Sequence, residues 1–186
     1  MDTEDDSSLM KQVQAGDTGQ LAVLFERHHL SLFRYVMGLT GNRALSEDVV
    51  QDVFFRVMKY ATTYDPNMSF RVWLYQLARN VCFDSQAKRR REVFEHPLHD
   101  VEDREPLPDE LVTRQQDSKF LKEALRRLSP EKREVLVLSR FHDLRYDEIG
   151  RILQCEVGAV KVRVYRALKA LRESFSELRG DKVYDG

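Results

Sequence analysis

Apolar residues spaced three and four apart run through this chain from end to end, and nothing else constrains its fold as strongly. The spacing is plainest in the stretch 46–91, which reads as a helix over 47–60, a loop over 62–67 and a second helix over 70–91. In that second helix Phe70, Trp73, Leu74, Leu77 and Val81 recur at helical period and make one apolar face. Gln76, Asn80, Phe83 and Ala87 project along a flank, and Lys88, Arg89, Arg90 and Arg91 close the helix. An amide flank, an accessible ring and a terminal cationic run suit nucleic acid that is single-stranded or opening. Cations attract phosphates, a ring stacks on an unpaired base, and an amide reads a base edge. A core helix with a solvated basic end is the competing reading for this segment alone.

The same period organises the rest. Ser7 or Ser8 can cap a short helix over 9–15 that stops at Gly16, and Asp17 can cap a longer one. Leu21, Leu24, Phe25, Leu32, Phe33 and Val36 form its expected buried stripe, and Gly38, Gly41 and Asn42 end it. Ser46 is the expected cap of the next helix, with Val50, Val53, Phe54 and Val57 facing inward. Its other face carries Asp48, Gln51, Asp52 and Phe55. A large aromatic among carboxylates on an outer face reads as a docking patch, with Phe55 as anchor and the carboxylates suited to a basic partner. A Phe tucked beneath a neighbouring loop is the alternative.

After Arg91 the character changes. Pro97, Pro106 and Pro108, His96 and His99, and a run of carboxylates with no sustained apolar period read as a linker over 93–108. The expected division is therefore a domain over 1–92, the acidic linker, and a second helical domain over 109–186. There Leu111, Phe120, Leu121, Leu125 and Leu128 mark a helix ending at Ser129, and Pro130 opens the next, which buries Val135, Leu136 and Leu138. A helix over 146–153, a tight turn at Gln154, Cys155 and Glu156, and a long helix from Val157 to about Leu178 suggest a helix-turn-helix. Val157, Val160, Val164, Ala167 and Leu171 make the expected buried stripe of the long helix. Ala159, Lys161, Val162, Arg163, Tyr165, Arg166 and Lys169 lie off that stripe or carry charge suited to a major groove. A plain helical hairpin is the alternative.

Composition excludes more than it proposes. Among 186 residues, 42% hydrophobic and 33% charged, 8 Gly and 5 Pro leave the helical period little interrupted, so the fold class is all-α. The net charge of −1 gives no general nucleic-acid signal, so that case rests on where the charges fall. Cys82 and Cys155 are far apart, and neither has a Cys or His at ligand spacing; His96 and His99 have the spacing but no partner cysteines. No metal, cofactor or catalytic site is expected: there is no nucleophile–base pair, glycine-rich phosphate loop or metal cluster. With no signal peptide and no apolar run long enough to cross a membrane, the expected location is cytoplasmic, without membrane insertion.

Four motifs in order carry a family pattern: the run from Ser46 to Val57, the run from Ser69 to Asn80, Leu128-Ser-Pro-Glu-Lys-Arg-Glu-Val, and Tyr146-Asp-Glu-Ile-Gly-Arg-Ile-Leu. Together they resemble the extracytoplasmic-function (ECF) group of bacterial sigma factors, over nearly the whole chain. The resemblance implies a transcription initiation factor whose first domain, sigma region 2, docks on core RNA polymerase and melts the −10 promoter element. It implies that the second domain, sigma region 4, reads the −35 element, and that an anti-sigma factor is a partner. By position, Asp48, Gln51, Asp52 and Phe55 match the family's polymerase-docking helix. Tyr64, Asn67 and Ser69, in a loop similar to one that captures a flipped base, together with Gln76, Asn80, Phe83, Arg90 and Arg91, match the −10 reader. Ala159, Lys161, Val162, Arg163, Tyr165, Arg166 and Lys169 match the −35 reader. The chain departs from the pattern at Gln154, where such turns usually carry Gly, at Glu156 in place of a capping Ser, and at Ala159 and Val162. A repressor of the helix-turn-helix class would leave the first domain without purpose. A sigma-mimicking adaptor, which binds an anti-sigma factor but not promoters, should lack the phosphate-binding residues that are present here.

Overall fold

The computed structural model describes residues 5–95, 112–141 and 144–180, without the side chains of 86–95, 112–118 and 141. Among the described residues every regular element is helical. The chain divides into two compact units, Met1–Asp103 and Arg104–Gly186. The expected linker over 93–108 falls almost wholly outside the described residues.

In the first unit, α1 (Asp6–Gln14), α2 (Gly19–Thr40), α3 (Arg43–Lys59) and α4 (Phe70–Glu95) pack around one core, with a 3-10 turn (Ala61–Thr63) between α3 and α4. α2 and α4 meet through Tyr35 and Tyr75, both fully buried, with ring centroids 5.0 Å apart. Tyr35 was absent from the stripe read off the sequence, whereas Leu21, Phe25 and Phe33 of that stripe are only half-buried. α4 buries Val72 and Tyr75 beside Phe70, Trp73 and Leu74, while Leu77 is half-buried. The reason is that α4 is packed by both α2 and α3, so its buried surface is wider than a single stripe.

Three helix starts differ from expectation, α2 among them: its cap position is Thr18, and Asp17 Oδ1 accepts from the Gly19 amide at 3.1 Å one residue further out. The cap of α1 is Asp5, whose Oδ1 accepts from the Ser8 amide at 2.7 Å, not Ser7 or Ser8. α3 begins one turn early, capped by Asn42, whose Oδ1 accepts from the Leu45 amide at 2.9 Å. Ser46 is therefore inside the helix, fully buried, and donates to the Asn42 carbonyl at 2.6 Å. A carboxylate or amide one turn upstream competes for the same role, and sequence spacing does not say which wins.

α1 is fastened to α2 by Asp6, which pairs with Arg27 Nη1 at 2.9 Å and His28 Nε2 at 2.6 Å. The hydrogen bond from His28, then that from Arg27, holds the Asp6 carboxyl below its ordinary 3.8 despite partial burial. A depressed folded-state pKa stabilises above the unfolded value and is lost as pH falls through the folded one. Asp6→Asn should thus lower the melting temperature at pH 6, and the gap to the parent should close as pH drops below 3.8. Parallel thermal melts across that range check it; a gap that persists at the acid end contradicts the ion-pair account.

The second unit contains α5 (Val112–Arg127), α6 (Pro130–Phe141), α7 (Tyr146–Leu153) and α8 (Val157–Arg179), with α8 packed against the other three. Arg133 closes the end of α5 by donating to the carbonyls of Leu125 at 2.9 Å, Arg126, and Leu128 at 3.2 Å. α7 starts with the Arg145 amide donating to Glu148 Oε2 at 2.9 Å. In α8, Val160, Val164 and Ala167 are buried as expected, but Val157 is exposed and Leu171 half-buried.

The α7–α8 turn reverses the chain tightly. Gln154 takes φ 53°, ψ 47°, the one non-glycine among the described residues with positive φ. The Cys155 amide then donates to the Gly150 carbonyl at 2.8 Å. A Cβ added to Gly150 would lie 2.6 Å from the Cys155 carbonyl oxygen. The side-chain-free residue that this turn requires is therefore Gly150, inside α7, and Gln154 carries the left-handed step.

Candidate functional site

Three exposed faces of differing chemistry follow from this packing. The first is on α3, where Val49, Val50, Val53, Phe54 and Val57 are buried and the opposite side faces solvent. Asp48 and Gln51 are exposed there, and Phe55 is 57% exposed, so it is not tucked beneath a loop. Asp52 is half-buried and pairs with Arg56 Nη2 at 3.2 Å. Arg56 also reaches Asp84 of α4 at 3.5 Å, so one guanidinium spans two carboxylates on adjacent helices.

The second face belongs to α4 and the loop before it. Asn80 is exposed and Phe83 is 41% exposed, while Gln76 is half-buried. The Arg79 guanidinium lies 4.7 Å from the Phe83 ring centroid and covers one face of that ring. In the loop, Asn67 is exposed and Ser69 half-buried. Asp65 Oδ1 accepts from the Asn67 amide at 2.9 Å and from its side-chain nitrogen at 3.0 Å, a turn that shapes the tip. Tyr64 does not join this face. It is 3% exposed, with its ring against Trp73 and Phe70 at 5.2 and 6.0 Å. Its expected role in touching nucleic acid is corrected to a buried support: an aromatic between two other rings gains more from the core than from solvent. The side chains of Arg90 and Arg91 lie outside the described residues.

The third face is α8. Lys161, Val162, Arg163, Tyr165, Arg166 and Lys169 are exposed, Tyr165 by 71%, and Ala159 is half-buried. Lys169 lies 3.9 Å from Glu173. Four exposed cations over about two and a half helical turns and one large exposed ring, following a tight turn, fit the duplex-reading arrangement of a helix-turn-helix. Among the described residues no three His, Cys, Asp or Glu side chains converge to hold a metal ion. No described helix is long and apolar enough to cross a membrane.

The family models for Sigma-70 region 2 and Sigma-70 region 4 match residues 24–92 and 121–171, the parts that hold these faces. The ECF RNA polymerase sigma factor SigL of Mycobacterium tuberculosis is 31% identical over 166 residues, covering 88% of this chain and 93% of SigL. The chain belongs to the ECF RNA polymerase sigma factors. As a member, this sigma factor is a transcription initiation factor, and its two regions imply RNA polymerase and promoter DNA as partners. The ECF sigma factor BldN of Streptomyces coelicolor is 28% identical over 166 residues, which span 88% of this chain and 63% of BldN. The fold is shared with the sigma factor RpoE solved with the anti-sigma factor NepR from Bartonella quintana. That match has a TM-score of 0.72 and 24% identity and covers 83% of this chain and 96% of that one.

Two features of this sigma factor escaped sequence reasoning. Met58 is 45% exposed one turn beyond Phe55 and extends the apolar part of the α3 face. Its spacing of three from Phe55 was the available signal. The bridge from Arg56 to Asp84 had no such signal, because it depends on how α3 and α4 cross.

Proposed function

We propose that this sigma factor docks on core RNA polymerase through Asp48, Gln51, Asp52 and Phe55, opens the −10 element with region 2, and reads the −35 element with region 4. Region 2 would occupy 1–92 and region 4 would occupy 109–186, joined by the acidic stretch between them. The observation that carries this reading is the pair of dissimilar faces on separate units. The α4 face offers an amide and a ring, which find most of their partners on unpaired bases. The α8 face offers Lys161, Arg163 and Arg166, which suit the phosphates and edges of duplex DNA. Extruding a base costs a few kcal/mol, and stacking it on a ring returns about 1–3 kcal/mol, so melting needs a shaped pocket and no catalytic group. The polymerase supplies the bond chemistry, and the protein acts in the cytoplasm, with an anti-sigma factor as a further partner. The exposed cations of α8 count against an adaptor that never touches promoters.

The test separates the two faces. Asn80→Ala should impair open-complex formation on an ordinary promoter and lose much less on a template already mismatched in the −10 region at bases Asn80 does not touch. Arg166→Ala should weaken binding to both templates, with a smaller salt dependence, as expected when about one phosphate contact is removed. Permanganate footprinting of unpaired thymines beside a salt titration reads both. Unchanged thymine reactivity with Asn80→Ala, or an Arg166→Ala defect confined to melting, would overturn the division of labour.

A further inference from the structure

α1 precedes the region matched by the sigma family, residues 24–92, and none of the three faces includes it. Yet it grips both ends of the loop that precedes α4. The Gln14 side-chain amide donates to the carbonyls of Ala61 and Tyr64, each at 2.9 Å. Two acceptors on one NH2 group use both of its hydrogens, so the amide is fully committed to the backbone entering the loop. At the other end, the Tyr64 hydroxyl donates to the Met68 carbonyl at 2.6 Å. The Ser7 Oγ lies 3.0 Å from that same hydroxyl. The Tyr64 hydrogen is spent on Met68, so Ser7 must be the donor in this pair, and a directed chain runs from Ser7 through Tyr64 to the loop's exit. Burial pushes the Tyr64 hydroxyl pKa up, which keeps its proton in place for that chain. α1 is in turn held by Leu9, Met10 and Val13 in the core and by Asp6 on Arg27 and His28.

Between the gripped ends lies Asn67, with the half-buried Ser69 directly after Met68; both belong to the loop that the family resemblance likens to one capturing a flipped base, here a base of the −10 element that region 2 would open. We propose that Ser7 and Gln14 of α1 are positioning residues that fix the loop 64–69 in the shape that receives that base. The inference rests on that reading of the loop. A pocket held from two sides before the base arrives loses less freedom on binding and discriminates more sharply than one that must order itself. Loosening the grip should therefore blunt discrimination at the captured base while leaving polymerase docking on α3 untouched.

The experiment uses holoenzyme assembled from core polymerase and the full chain, and fork-junction DNA whose −10 bases are unpaired. An abasic site is placed at each −10 position in turn. At the captured position the parent should bind the abasic template about tenfold more weakly than the natural one. In Ser7→Ala and in Gln14→Leu that penalty should shrink to about threefold or less, whereas Ser7→Thr, which keeps the hydroxyl, should retain it. Affinity for core polymerase and the melting temperature are followed in parallel; a merely structural role would move the latter without changing the abasic ratio. If Gln14→Leu fails to fold, Ser7→Ala, which removes one hydroxyl, still decides the matter. A parent penalty that persists in full in the variants overturns the positioning role alone. A parent with no penalty at any −10 position overturns the base-capture reading and the positioning role with it.

Discussion

Phe55→Ala combined with Asp52→Arg is expected to reduce binding to core RNA polymerase below detection while leaving the helical fold intact. Phe55 is 57% exposed on a helix whose packing residues, Val53, Phe54 and Val57, lie on the other side, so the ring contributes little to the folded state. Truncating an aromatic anchor at the centre of an interface costs about 2 kcal/mol or more, roughly thirtyfold in affinity. Asp52→Arg adds a repulsive charge toward a basic partner and also removes the carboxylate that shares Arg56 with Asp84. The two effects fall on neighbouring residues of one face, so they need not add simply. A binding titration against core polymerase, with circular dichroism as the folding control, measures the outcome. Parent-like affinity in the double variant would remove α3 as the docking helix.

The second large effect is expected at the α7–α8 turn. Gly150→Ala should destabilise the second unit and weaken promoter binding with it, because the added Cβ would lie 2.6 Å from the Cys155 carbonyl oxygen. That atom belongs to backbone tied back on Gly150 by the Cys155 amide at 2.8 Å, so it cannot move aside alone. Overpacking of this kind costs about 1–3 kcal/mol, set against a gain of roughly 1 kcal/mol from replacing a helical glycine. Gln154→Gly should act oppositely and stabilise by up to about 1 kcal/mol, since it relieves a side chain held at φ 53°. Denaturant titrations of the two variants should move in opposite directions. If Gly150→Ala were neutral and Gln154→Gly destabilising, the turn would not be closed as described.

Much of this was legible in the sequence. The boundaries of α7 and the start of α8 came directly from the apolar period and the short turn between them, and α3 presents Asp48, Gln51 and Phe55 to solvent as its pattern requires. The family assignment followed from four motifs, each a local run of residues. The family pattern places glycine where Gln154 stands, but the steric requirement of this turn sits at Gly150. The sequence offers Ser7 or Ser8, and Ser46, as caps, whereas the Ser7 and Ser46 hydroxyls face other partners.

Helical period and the solvent-facing side of α3 were determined by the sequence alone, because each follows from residues within a few positions and needs no distant partner. Tertiary structure alone decided that Tyr64 is buried against Trp73 and Phe70. It also decided that Ser7 donates to Tyr64 across 57 positions, that Gln14 holds two carbonyls near the loop, and that Arg56 joins α3 to α4. A hydroxyl or amide can pair with any complementary group that the fold brings within about 3 Å. Which group arrives there depends on how whole helices cross, and that is a property of the packed core, not of any local run of residues.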